Sequence, residues 1–187
     1  MDVMQAIKER RSVRKYKPDS LSDEIINDVL EAARWAPSWN NTQCWRFIVV
    51  RDPDIQQKLA QTIRPDTNRG ITAVKEAPVT IVACAELGKA GFYKDVEPTD
   101  KGDWFMFDVA LAMQNLALRA YSLGLGTVHI GLFDALEAAK ILGVPQGYAV
   151  VEMIPIGQFN EIPKTPRRRE LNELVFYERF GQSQRMT

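Results

Sequence analysis

The sequence has few residues that could build a metal site or a disulfide framework. It contains two cysteines, Cys44 and Cys84, and one histidine, His129. It has no CxxC pair and no histidine near a cysteine, which argues against zinc binding and predicts two reduced thiols. His129 lies in an apolar stretch, a setting that favours a buried, hydrogen-bonded histidine over a catalytic acid or base.

An excess of charge of one sign is also missing, since 24 Lys and Arg balance 24 Asp and Glu. Without net charge, the chain has no overall field that would draw it to nucleic acid or to an anionic membrane. The apolar runs are short, and residues 1–4 lack the basic start and apolar centre of a signal peptide. We therefore expect a cytoplasmic protein that binds neither nucleic acid nor membrane.

Helix and strand signals alternate along the chain. Ser22, Asp52 and Asp134 each precede an amphipathic stretch and are predicted N-caps. Apolar, β-branched runs predict strands at 47–50, 79–83, 127–130 and 149–156. A nearly continuous apolar pattern over 104–123 predicts a central helix. This alternation is typical of an α/β or α+β sandwich with helices on both faces of a central sheet.

Two segments depart from this pattern. Residues 88–104 combine Gly, Pro and charge with Phe92 and Tyr93, which predicts a lid-like excursion over a site. From about residue 160 the chain forms a predicted C-terminal tail that is basic at 167–169 and then apolar. No linker is indicated, so residues 1–187 are predicted to form a single domain.

The most informative motif near the N-terminus is Arg10-Arg11-Ser12-Val13-Arg14. It concentrates guanidinium groups and a hydroxyl at the predicted end of a helix, a grouping suited to a phosphate or another small anion. Taken alone, the motif is more typical of a solvated helix end, because runs of charge usually form solvated faces.

A second motif runs from Pro37 to Trp45 and is rich in amide side chains and indoles. It offers hydrogen-bonding groups for a flat heteroaromatic ring, so that with the first motif it could hold FMN. Its alternative interpretation is a helix stop followed by a structured loop. For Trp45 in particular, a place in the core is the favoured prediction.

These motifs, together with Gly124-Leu125-Gly126-Thr127, Ile130-Gly131 and the late arginines, resemble the FMN-dependent nitroreductase family over nearly the whole chain. That family includes NAD(P)H-dependent nitro, quinone and flavin reductases. The resemblance implies an α+β fold with a mixed central sheet flanked by helices. It also implies an intertwined homodimer that holds two FMN molecules at the subunit interface.

The resemblance implies roles for the two arginine clusters. Arg10 would bind the FMN phosphate, and Arg11 and Ser12 would contact the phosphate, the ribityl chain or the ring edge. Arg14 would lie near N1 and O2 of the flavin, where a cation stabilises the reduced form. The late phosphate ligand would be Arg168, with Arg167 or Arg169 as substitutes.

Further positions would contact the flavin ring. They match ring-binding positions of the family. Pro37, Ser38 and Asn41 would come from the second subunit, and Asn68, Ile130 and Gly131 are the others. A backbone N–H near Ile130 and Gly131 would face flavin N5. Some relatives carry a carboxylate beside this glycine, where the present chain has isoleucine.

The implied reaction transfers a hydride from NAD(P)H to FMN and then to a nitroaromatic, quinone or similar acceptor by a ping-pong mechanism. No side chain is expected to act as a conventional acid or base. Residues 92–107 would shape the acceptor pocket, with Tyr93, Trp104 and Phe105 as candidate walls. The alternatives are a flavin-sequestering protein, a related dehalogenase or flavin-fragmenting enzyme, and an anion-binding module without flavin.

Overall fold

The computed structural model describes residues 1–161 and 163–183. Its six helices are α1 (Val3–Glu9), α2 (Asp23–Arg34), α3 (Pro53–Thr62), α4 (Gly70–Glu76), α5 (Phe105–Ser122) and α6 (Ala135–Leu142). Its four strands are β1 (Trp45–Val50), β2 (Val79–Glu86), β3 (Gly126–Thr127) and β4 (Tyr148–Gly157). Single 3-10 turns lie at Trp39–Asn41 and Leu171–Glu173.

The predicted caps are confirmed, because each side chain accepts a hydrogen bond from a free N–H of the first turn. Asp52 Oδ1 accepts from the Asp54 N–H at 2.8 Å, and Asp134 Oδ1 accepts from the Glu137 N–H at 3.0 Å. Ser22 caps α2 in the same way. Helix α6 ends where Gly143 adopts φ +67°, a left-handed conformation that costs glycine little.

The strands form one sheet in the order β1-β2-β4-β3, and its three ladders are antiparallel. The register pairs Trp45 with Ala85 and Val79 with Ile156. At the β3 edge, Ser12 adds a parallel bridge to Thr127. The N-terminal arm therefore continues the sheet beyond its last strand.

The core lies on both faces of this sheet. Helices α2 and α5 pack on one face, where Val29 and Leu116 are fully buried, and α3, α4 and α6 cover the other. Strand β2 is buried along almost its whole length because helices cover both of its faces. The predicted α+β class with helices on both faces is confirmed.

Three local features differ from the sequence prediction. Helix α4 is missing from that prediction, because Arg69 at its start provides no side-chain cap. The predicted strand 127–130 is shorter, since β3 ends at Thr127 and Ile130 forms an isolated bridge to Met153. His129 is hydrogen-bonded to Glu152, as expected, but its side chain is 35% exposed rather than buried, because it points away from the core between the buried Val128 and Ile130.

Among the residues described, no helix has both the length and the apolar character needed to cross a membrane.

Candidate functional site

The arginine motif is held along the edge of β3 as an extended arm. Helix α1 ends at Arg10, whose N–H donates to Ala6 O at 3.0 Å. The Val13 N–H then donates to Thr127 O at 2.9 Å, and the buried Tyr16 hydroxyl is 2.7 Å from Val13 O. These contacts hold the arm at both ends of the motif.

Gly126 permits this close approach. A Cβ atom on Gly126 would lie 2.6 Å from the Cβ of Val13, closer than two carbon atoms can pack. Two residues earlier, Gly124 has φ +78° just after the end of α5. The Gly124-Leu125-Gly126 motif therefore serves two purposes, since its first glycine turns the chain and its second accommodates the arm.

Three guanidinium groups from the two ends of the chain meet at the start of this arm. Burial, followed by the charges of Arg11 and Arg168, lowers the pKa of Arg10. Arg11 Nη2 donates to Thr165 Oγ1 at 2.6 Å, so the C-terminal segment lies against the N-terminal arm. Among the described residues, no carboxylate forms an ion pair with any of these three arginines.

The cluster also holds an unused donor. The Arg10 Nη1 atom is buried and has no hydrogen-bond partner in the described part of the chain. A buried donor without a partner costs about 1–3 kcal/mol, and more when it is charged. An anion with several oxygens, such as a phosphate, would satisfy this donor and neutralise the three charges.

Among the late arginines, Arg168 is the one that the sequence favours. Arg168 is the one whose charge acts on Arg10. It donates to Pro166 O at 3.4 Å and is otherwise exposed. Arg168 therefore stays the predicted late anion ligand, with Arg167 or Arg169 as substitutes.

Arg14 and Ser12 lie further along the same arm. Arg14 is exposed, and its Nη1 donates to Ser12 O at 3.2 Å. Ser12 is half-buried beside Thr127. Both side chains therefore lie on the surface continuous with the arginine cluster.

Asn68 and Ile130 are brought together around Gly70. A Cβ atom on Gly70 would lie 3.1 Å from Asn68 Oδ1 and 3.2 Å from Ile130 Cδ1. The Asn68 amide donates to Arg64 O and accepts from the Gly70 N–H, each at 2.9 Å. These two bonds fix its side chain and leave one N–H and one lone pair for a ligand.

The backbone at Ile130 and Gly131 offers one free donor. The Ile130 N–H donates to Met153 O at 3.0 Å and is already used. The Gly131 N–H has no hydrogen-bond partner in the described part of the chain, and the space where its Cβ would lie is open. Of the two predicted positions, Gly131 is the one that can donate to a ligand.

The loop from Pro37 to Gln43 forms a separate part of the site. Ser38 Oγ accepts from the Gln43 N–H at 3.0 Å, and Asn41 Oδ1 accepts from Gln43 Nε2 at 3.2 Å. Within the described residues no hydrogen bond joins this loop to the arginine arm.

The aromatic residues predicted as acceptor-pocket walls have different environments. The Trp104 ring lies 5.3 Å from those of Trp39 and Phe107, and Trp104 lines a cavity of about 250 Å³ at the start of α5. Phe105 packs against the core instead. Tyr93 is 58% exposed. Trp104 is thus the candidate best placed to contact a ligand, while Trp45 is buried, as predicted.

Sequence reasoning missed two residues. Thr165 follows no recognisable motif, and its contact with Arg11 spans almost the whole chain. Asp108 is buried, and both of its carboxylate oxygens accept from the Trp39 N–H. A signal for Asp108 was present, because it is the only acidic residue in the largely apolar helix α5.

The model of the Nitroreductase family matches residues 7–158, and the chain belongs to that family. A Methanothermobacter thermautotrophicus protein, provisionally named an NADH dehydrogenase/NAD(P)H nitroreductase, is 35% identical over 169 residues, covering 88% of this chain and 81% of the relative. The resemblance seen in the sequence is confirmed, and the protein is an oxidoreductase of the nitroreductase class.

Solved structures give the same result. An FMN-dependent nitroreductase from Clostridium difficile is 28% identical and superposes with a TM-score of 0.78, covering 95% of this chain and 99% of the other. A nitroreductase family protein from Clostridium novyi is 26% identical, also with a TM-score of 0.78, over 97% and 96% of the two chains.

Proposed function

We propose that this protein is an FMN-dependent oxidoreductase that uses NAD(P)H to reduce a nitroaromatic, a quinone or a similar small acceptor. The observation that carries the proposal is the unneutralised cluster of Arg10, Arg11 and Arg168, with a buried Arg10 donor that lacks a partner among the described residues. A cluster of this kind fits the phosphate of FMN. The FMN reductase from Bacillus subtilis, 27% identical over 160 residues, supports the choice of cofactor.

The predicted site residues would contact different parts of the flavin. Arg10, Arg11, Arg168 and Ser12 would hold the phosphate end, and Arg14 would place a positive charge near the pyrimidine edge. Asn68 has hydrogen-bonding capacity left for the ring, and Gly131 offers a backbone donor.

The chemistry that FMN supplies when bound is acceptance of a hydride from NAD(P)H and its delivery to the acceptor, with both substrates using one site in turn. The chain's own residues orient the ring and stabilise charge. Arg14 would stabilise the negative charge of the reduced ring, and the Gly131 N–H would donate a hydrogen bond to the ring without blocking the approach of the hydride. No side chain needs to transfer a proton as a conventional acid or base.

The proposal includes a homodimer in which Pro37, Ser38 and Asn41 reach the flavin of the partner subunit. Apolar side chains along α1 are unpartnered in a single chain, with Val3 71% and Met4 53% exposed. The tail adds Leu171 at 75% and Phe180 at 94%. A second copy would cover these apolar surfaces. They are more extensive than the scattered single apolar side chains that a monomer normally exposes.

We also propose a cytoplasmic location and a single domain with its acceptor pocket at residues 92–107. Cys44 and Cys84 are free, buried thiols, which suits a reducing compartment. The cavity beside Trp104 supports a pocket at this place.

The test is the visible absorption spectrum of the purified protein with added FMN, followed by anaerobic addition of NADH and then NADPH. A bound flavin that bleaches supports a reductase and ranks the donors. A bound flavin that stays oxidised with both donors contradicts reductase activity and favours a flavin-sequestering protein. Failure to bind FMN contradicts the assignment altogether.

The matched variants are Arg168→Ala and Arg167→Ala, which remove neighbouring charges from one exposed segment. Loss of one charge-assisted contact should weaken FMN binding by about tenfold or more in Arg168→Ala. Arg167→Ala should bind FMN as the wild type does. The reverse result would make Arg167 the phosphate ligand.

A further inference from the structure

Asp108 is a buried acidic residue in the first turn of α5 and is only 1% exposed. Among the described residues, no Lys, Arg or His forms an ion pair with it. Burial raises the pKa of its carboxyl group. A buried carboxylate without a cation is costly, so the contacts that Asp108 makes require an explanation.

Asp108 makes its contacts with the loop 38–44. The Trp39 N–H donates to both carboxylate oxygens of Asp108, at 3.1 Å each. The Cys44 thiol, at the other end of the same loop, lies 3.8 Å from Asp108 Oδ2. The positive end of the helix dipole in the first turn of α5 also favours the carboxylate. Asp108 thus binds the loop 38–44 near its beginning and near its end.

The loop that Asp108 binds is strained. Asn40, Asn41 and Gln43 have φ values of 44°, 56° and 49°, in the left-handed region that non-glycine residues seldom adopt. Such backbone conformations are disfavoured, least so for asparagine, so surrounding contacts hold the loop in place. The Asp108 carboxylate is a buried group that holds the loop from outside.

Trp39 connects this loop to the segment 88–104. Its indole Nε1 donates to Phe92 O at 3.2 Å. Its ring lies 5.3 Å from that of Trp104, at an angle of 48°. Movement of Trp39 would therefore shift both the loop that carries Ser38 and Asn41 and the wall of the cavity beside Trp104.

We propose that Asp108 is a positioning residue that, by binding the Trp39 N–H, fixes at once the flavin-contacting loop and the acceptor-pocket wall. The inference rests on the proposed function, since Ser38 and Asn41 contact flavin only in that scheme. It goes further, because it couples the flavin-contacting loop to the acceptor pocket through one side chain that contacts neither ligand.

The test compares Asp108→Ala, Asp108→Asn and the control Leu116→Ala. Leu116 is fully buried two turns further along α5, so its variant lowers the melting temperature without reaching the loop. Asparagine keeps an acceptor for the Trp39 N–H, and alanine removes it. The readouts are the dissociation constant for FMN, kcat and KM for the acceptor, and the far-ultraviolet circular dichroism couplet of the Trp39–Trp104 pair. A Trp104→Phe variant identifies that couplet.

We expect Asp108→Ala to weaken FMN binding and raise the acceptor KM by about tenfold each, with little change in kcat, and to lose the couplet. Asp108→Asn should stay within about twofold of the wild type, because its amide oxygen still accepts the bond. Leu116→Ala should keep the couplet, the FMN affinity and the KM despite its lower melting temperature.

Two results would overturn the inference. If Asp108→Ala keeps the couplet, the FMN affinity and the KM while its melting temperature falls as in Leu116→Ala, then Asp108 is only structural. If Asp108→Asn fails as Asp108→Ala does, the bond to Trp39 is not what matters. Failure of the proposed function is recognised separately, because the wild type itself would then bind no FMN.

Discussion

The hydroxyl of Thr165 accepts hydrogen bonds from two nitrogens of Arg11, at 2.6 and 3.2 Å, across 154 residues of sequence. This contact lies beside the one place where Arg10 and Arg168 approach each other. Thr165 therefore holds the C-terminal segment against the N-terminal arm, and it does so where the proposed phosphate site needs residues from both.

Replacing Thr165 by valine should loosen this attachment while keeping the shape of the side chain. Arg168 would then spend less time beside Arg10, and FMN affinity should fall by about three- to tenfold, the size of one ordinary hydrogen bond lost at an exposed position. The measurement is a fluorescence titration of FMN. The control is Thr72→Val, an exposed threonine in α4, which should titrate as the wild type. Equal affinities in both variants would show that Thr165 has no part in the site.

Gly126→Ala should disturb the N-terminal arm where it packs against β3. The added methyl group would meet Val13 and push the arm away from β3, an overpacking cost of about 1–3 kcal/mol in the free energy of unfolding. FMN binding should weaken as well, since Arg10 and Arg14 flank Val13. Urea unfolding and FMN titration measure the two effects.

A suitable stability control is Gly131→Ala, because no atom lies within 4 Å of the place that an alanine Cβ would occupy there. Its unfolding free energy should match that of the wild type within about 0.5 kcal/mol. If Gly126→Ala is as stable as Gly131→Ala, the arm is not packed against β3 in solution.

The two buried thiols predict a loss of stability at alkaline pH. Burial raises the pKa of Cys44 to about 12, helped by the nearby Asp108 charge, and burial raises that of Cys84 to about 11. Above pH 9 the unfolded chain releases these protons while the folded chain retains them, so the free energy of unfolding falls as pH rises. The window begins near pH 9 and closes near pH 11 for Cys84 and pH 12 for Cys44.

The expected slope is about 1 kcal/mol per pH unit for each thiol within that window. Urea unfolding between pH 8 and pH 10 measures it, and the Cys44→Ala/Cys84→Ala double variant isolates the contribution of the thiols. The double variant starts from lower stability but should show a shallower decline. If the free energy of unfolding falls equally steeply with pH in the wild type and the double variant, the thiols do not cause the decline.

Much of the fold follows from local signals in the sequence. Ser22, Asp52 and Asp134 predict where their helices begin, because a cap side chain binds N–H groups only two or three residues away. The buried strand β2 is visible as an apolar, β-branched run for the same reason, since both of its faces need apolar side chains. The arginine motif and the family resemblance likewise depend on neighbouring residues.

Other features depend on contacts between distant parts of the chain. Helix α4 has no cap and is stabilised by burial of Ala73 and Val74 against other elements. His129 is partly exposed although its neighbours Val128 and Ile130 are buried, which depends on which side of the chain the core covers. The contact between Arg11 and Thr165 depends on how the tail returns to the arm.

The sequence by itself determined the helix starts, the main strands, the two motifs that suggest a binding site and the family. Each of these depends on residues that lie close together along the chain. Only the tertiary structure decided which residues share a site: Thr165 with Arg11, Asn68 with Ile130 and Asp108 with Trp39. The physical reason is that hydrogen bonding and burial act over a few ångströms in space. The number of residues between two positions along the chain does not predict that they will come so close.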